Sequence, residues 1–151
     1  MLPATTARVA EQTPDYVNER IRKKTEENIA RYSVAGPEDI RQRLTELDRE
    51  WDIERVLEAN ASAVILSGLL LSLLKDRRWV VVPLMASGFL LEHALQGWCP
   101  PVALFRRLGV RTAAEIDQER YALKAFRGDF RDIPKTVDGQ LVSRTLDALR
   151  T

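Results

Sequence analysis

The chain has 151 residues, 30% of them charged, yet a net charge of only +1, so it lacks the basic excess of a nucleic-acid binder. Its single cysteine excludes an intrachain disulfide, and one cysteine with one histidine excludes a zinc site of the usual Cys/His kind. The mean hydropathy of −0.24 averages two unlike parts: charge is absent from two central apolar runs and dense outside them, so the average says nothing against membrane insertion.

In chain order, residues 1–12 read as a disordered tail, and MLPATTARVAEQTP lacks the positive-then-apolar layout of a signal peptide. Residues 13–50 read as a cytoplasmic helical region. Thr13-Pro14-Asp15 is a helix start, with a cap, a proline at the first helical position and an acid at the positive helix end. That helix runs to about Ser33, and Ala35-Gly36-Pro37 breaks it. From Pro37 the residues Ile40, Leu44, Leu47 and Trp51 form one apolar stripe. No Gly or Pro lies between Pro37 and Gly68, so this second helix is expected to continue unbroken into the first apolar run.

That run, Ala59–Leu74 (ANASAVILSGLLLSLL), is followed by the turn Lys75-Asp76-Arg77-Arg78 and a second run, Trp79–Leu91 (WVVVPLMASGFLL). Sixteen helical residues reach ~24 Å against a hydrocarbon core of ~30 Å, so a buried hairpin in a soluble dimer stays open as an alternative. Three features favour a membrane. Trp51, Trp79 and Trp98 flank the runs where aromatic rings settle at an interface. Small residues (Ala59, Ala63, Ser67, Gly68, Ser72, Ala86, Ser87, Gly88) permit close helix approach in lipid. The turn carries three Lys/Arg against seven on the flanks (Arg43, Arg49, Arg55, Arg106, Arg107, Arg111, Arg120), which places both termini in the cytoplasm.

After the runs, Pro100-Pro101 is expected to end the second membrane helix. Val102–Leu108 reads as a short amphipathic piece lying at the interface, with Arg106 and Arg107 near lipid phosphates. Thr112-Ala113-Ala114-Glu115 is a capping box that starts a helix running to Arg127, with Gly128 as its stop, in a cytoplasmic helical segment over 113–130. A final helix is expected at Gln140–Arg150, within a tail over 131–151.

Folding the hairpin about its turn pairs residue i with about 153 − i, which sets Asn60 against His93 and Ala61 against Glu92. Glu58, Asn60, Glu92, His93 and Gln96 then gather at one depth near the cytoplasmic end. Such a cluster either holds helices or protomers together or forms a proton or anion path. Cys99 is either a small apolar residue at a helix end or a cytoplasmic-side thiol open to modification. No Walker loop, dinucleotide fingerprint, serine elbow or zinc helix occurs, and no catalytic residue, metal or cofactor is expected.

Gly97-Trp98-Cys99-Pro100, followed by Val102-Ala103-Leu104, Leu108-Gly109 and Val110-Arg111-Thr112, resembles the YgaP-like inner-membrane domain, a two-helix hairpin closed by a G-(F/W)-C-P motif. Asp52-Ile53-Glu54-Arg55 stands where that family has its Asp/Arg lead-in, and the match spans about residues 51–112. The resemblance implies a bacterial inner (cytoplasmic) membrane location, a tendency to dimerise and no agreed activity for the hairpin. Some family members carry a rhodanese domain ahead of it; here the N-terminal part is charged helix without cysteine, so sulfurtransferase activity does not carry over. The expected protein is all-α: a two-helix transmembrane hairpin with flanking cytoplasmic amphipathic helices, with the bilayer and a second copy as its partners. Its expected role is a non-enzymatic anchor or interaction module. The alternatives are a handler of small sulfur species or anions through Cys99 and the polar cluster, or a soluble helical dimerisation domain.

Overall fold

The computed structural model describes residues 4–131 together with Asp147 and Leu149. Every regular element among the described residues is helical: α1 (Arg8–Glu11), α2 (Asp15–Ser33), α3 (Pro37–Arg49), α4 (Ile53–Leu74), α5 (Val81–Gln96), α6 (Pro100–Arg107) and α7 (Ala113–Arg127), with a 3-10 turn at Arg77–Val80 between α4 and α5. Two stretches are long and apolar enough to cross a membrane, Pro37–Leu74 through its α4 part and Arg77–Gln96. The 22 residues of α4 rise ~33 Å, because the helix begins six residues before the uncharged run does.

The chain divides into two compact units, Met1–Lys23 with Trp51–Ile116 and Lys24–Glu50 with Asp117–Thr151. In the first, α4 and α5 run antiparallel. Gly68 of α4 is buried against α5, and a Cβ there would lie 2.6 Å from Pro83 Cδ. At the other end of the pair, Val9, Ile53, Leu57, Cys99 and Val102 form a buried apolar cluster. Val9 belongs to α1, so the segment expected as a disordered tail instead forms a helical turn over residues 8–11 and buries an apolar side chain. In the second unit α3 buries Ile40, Leu44 and Leu47, and the fully buried Glu119 carboxylate accepts from Arg43 Nε at 2.8 Å.

Several local signals act as expected. Pro37 opens α3, the α7 capping box forms, with Thr112 N–H 2.7 Å from Glu115 Oε2, and Gly128 follows α7 with φ +94°. Two do not. The second helix does not continue into the apolar run: Glu50 is extended (φ −66°, ψ 129°), and Asp52 starts α4 by accepting the Arg55 N–H at 2.8 Å. Trp51 therefore lies outside the α3 stripe and is 47% exposed. Nor do the prolines end α5. Gly97 does so at φ +79°, and Pro100-Pro101 instead open α6, where a missing N–H costs nothing. The expected helix at Gln140–Arg150 lies outside the described residues, save Asp147 and Leu149, which are helical.

Candidate functional site

The chemistry-bearing groups of the first unit collect where α1, the start of α4, the end of α5 and α6 meet. His93, in the last turn of α5, is 3% exposed, and its Nε2 lies 2.7 Å from Glu54 Oε2 in the first turn of α4. The other oxygen of Glu54 accepts from Arg8 Nη2 at 2.9 Å. Arg8 is held close because Gly97 packs on its backbone, where a Cβ would come within 2.6 Å of the Arg8 carbonyl carbon. The result is a cation–carboxylate–imidazole chain that ties the N-terminal segment to both long helices. His93 Nδ1 and Arg8 Nε, both buried, have no hydrogen-bond partner among the described residues.

This differs from the expected polar cluster in register. His93 meets Glu54, six residues earlier on α4 than Asn60, a displacement of ~9 Å along the helix. Glu58, Asn60 and Gln96 are exposed and Glu92 half-buried, and the Asn60 amide donates to Val56 O of its own helix at 2.8 Å. Of the five expected residues, only His93 is in the buried chain. In the sequence Glu54 stands out only as part of the lead-in before the first apolar run, and no local pattern marks Arg8, whose partner Glu54 lies far along the chain.

Cys99, extended at the N-terminal end of α6, is fully buried. Burial pushes its thiol above the ordinary 9.0 despite a backbone hydrogen bond from Val102, and the Glu54 charge adds to the rise. It is thus held as a protonated, poorly nucleophilic thiol at neutral pH. It forms the floor of an apolar cavity of about 380 Å³ between the long helices, with Leu57, Ala61 and Val64 on one wall and Ala86 and Leu90 on the other.

Arg106 overturns its expected place among lipid phosphates. It is 1% exposed: Nη1 and Nη2 donate to the Glu115 carboxylate at 2.6 and 2.8 Å, Nη2 also donates to Asn18 Oδ1 at 2.8 Å, and Nη1 donates to Val110 O at 3.0 Å. Its Nε donates to Thr13 Oγ1 at 3.2 Å, and Thr13 in turn donates to Val9 O at 2.6 Å. A planar guanidinium suits this because it presents five donors in a fixed fork. Arg107 stays exposed, and its carbonyl accepts from Arg20. The three tryptophans are 43–47% exposed, with Trp79 in the turn, Trp51 and Trp98 at the opposite ends of the long helices, and the Arg55 guanidinium 4.4 Å from the Trp51 ring.

Burial raises the Glu115 pKa, but the hydrogen bonds from Arg106 and the Thr112 backbone outweigh it and hold the carboxyl below its ordinary 4.5. A carboxyl lowered on folding stabilises the fold above its unfolded pKa, and that contribution fades as pH falls through the folded value. The thermal midpoint of the protein is therefore expected to fall once the pH drops below about 4.5, and Glu115→Gln to show a smaller fall over the same range. Equal acid sensitivity in both proteins would contradict this assignment.

Set beside known proteins, the chain matches no family model, no curated protein and no solved structure.

Proposed function

We propose that the chain is a small integral membrane protein, a dimeric anchor or interaction module. In this reading α4 and α5 cross a bacterial inner membrane as a hairpin over about residues 59–74 and 79–91, and both termini lie in the cytoplasm. The observation that carries the proposal is where the apolar surface lies. In each long helix only 11% of the most apolar 18-residue window is buried, whereas a core helix of a soluble protein hides such a window. Leu66, Leu70, Leu73 and Leu74 of α4 and Leu84 and Leu91 of α5 are all more than half exposed. An uncharged band of that extent is a liability in water and the natural surface in hydrocarbon.

Other features support the same reading. Tryptophans stand at both ends of the long helices, and the Gly97–Pro100 motif resembles the YgaP-like hairpin closure. Ala59, Ala63 and Ser67 recur every fourth residue and are exposed, while Gly68 takes the contact with α5. That leaves a small-residue face for a second hairpin, and two hairpins make a four-helix bundle. The sulfur or anion reading is disfavoured by the buried, protonated Cys99 and by a polar cluster that does not assemble.

Fractionation tests the proposal directly. The protein is expected to stay in the membrane pellet through an alkaline carbonate wash and to dissolve only in detergent. Release by carbonate would make the apolar faces a protein–protein surface and overturn the membrane reading.

A further inference from the structure

The cavity between α4 and α5 has a shape and chemistry that the membrane reading leaves unused. Gly68 against Pro83 draws the helices together toward the turn, and Cys99 and Pro101 line the other end. Between these points Ala61 on one wall and Ala86 on the other line the slot with short side chains. We propose that the slot is a binding site for a single unbranched hydrocarbon chain of a bilayer phospholipid.

Dimensions decide against a second copy as the occupant. The α5 wall runs from Val82 to Leu90, ~12 Å by helical rise. The long helices touch at Gly68–Pro83 and at Glu54–His93, so the gap between these points is narrower than the ~10 Å or more of a partner helix, which does not enter. A long, narrow space also favours a flexible chain over a compact ring system.

Chemistry decides against a polar or anionic ligand. Among the lining residues only Asn60 and Cys99 carry polar side-chain atoms; the Asn60 amide already donates to Val56 O, and Cys99 is a protonated thiol. Nothing in the wall compensates a buried charge, so a headgroup stays outside and only the chain enters. The route in is lateral, past the exposed Val64, Met85 and Phe89, which in the proposed orientation face lipid. An occupied slot replaces the packing that the two alanines forgo.

This inference rests on the membrane reading, and its test separates the two. Full-length protein is reconstituted into vesicles of palmitoyl-oleoyl phosphatidylcholine, extracted in mild detergent and examined by native mass spectrometry. The wild type is expected to retain one phospholipid per chain. Ala86→Phe and Ala61→Leu, which fill the slot from opposite walls, are expected to lose it by roughly tenfold or more, a change that ~1.4 kcal/mol produces. Leu91→Ala, on the exposed face, is expected to keep it, and circular dichroism on each variant confirms that the helices form. Equal retention by the wild type and both slot-filling variants would mean annular lipid only and overturn the site. A carbonate-resistant wild type carrying no phospholipid would also overturn the site while leaving the membrane reading intact.

Discussion

Replacing Arg106 with Met is expected to destabilise the protein by about 3–5 kcal/mol, the usual cost of removing one partner of a buried ion pair. The guanidinium satisfies Glu115, Asn18, Thr13 and the Val110 carbonyl together while almost wholly out of water. Methionine fills much of the volume but strands those acceptors, and an acceptor left unpaired in a low-dielectric setting carries its full desolvation cost. Lysine is expected to recover only part of the loss, because one ammonium cannot reproduce the planar fork. The double variant Arg106→Met with Glu115→Met is expected to be more stable than Arg106→Met alone, since no carboxylate is then left uncompensated. Thermal unfolding in detergent, followed by circular dichroism, measures all three. A midpoint for Arg106→Met within a degree or two of wild type would place the guanidinium at the surface after all.

Gly97→Ala is expected to produce the second-largest loss, because two independent costs coincide. The backbone there is left-handed at φ +79°, which charges a residue bearing a Cβ about 1–2 kcal/mol. The added methyl would also sit 2.6 Å from the Arg8 carbonyl carbon, and overpacking of that kind typically costs about 1–3 kcal/mol. Relief requires the N-terminal segment to lift, which breaks the Arg8–Glu54 contact and uncovers Cys99. The expected result is thus a fall in stability together with faster alkylation of Cys99 by N-ethylmaleimide. Gly109→Ala is the matched control: its φ is +91°, but nothing lies within 4 Å of the new methyl, so it bears the backbone cost alone. Equal losses at the two glycines would show that the packing on Arg8 is unimportant.

The boundaries legible in the sequence are those set by neighbours in the chain. Pro37, Gly128 and the Thr112/Glu115 box act over three or four residues and appear where the sequence puts them. The apolar runs are equally plain, since an uncharged stretch needs no tertiary information to be recognised. What escaped was decided at a distance. The break before α4 depends on Asp52 capping Arg55 and on Ile53 N–H reaching the Arg111 carbonyl, and no glycine or proline announces it. His93 pairs with Glu54 because the long helices meet in a register that counting from the turn misses by several residues. Arg106 resembled any basic residue on an amphipathic helix; only the positions of Asn18 and Glu115 take it inside.

The Arg106–Glu115 pair carries a consequence for how the chain is made. Synthesis is vectorial, so Arg106 emerges from the ribosome before its partner nine positions later. In the proposed membrane reading, the guanidinium is for that interval a charge without Glu115 beside it, within 15–20 residues of the second apolar run, the zone that sets orientation during insertion. In that reading it would help to retain its side of the hairpin in the cytoplasm, and the pair with Glu115 would form afterwards. One arginine would serve first as a topological signal and afterwards as an internal strut.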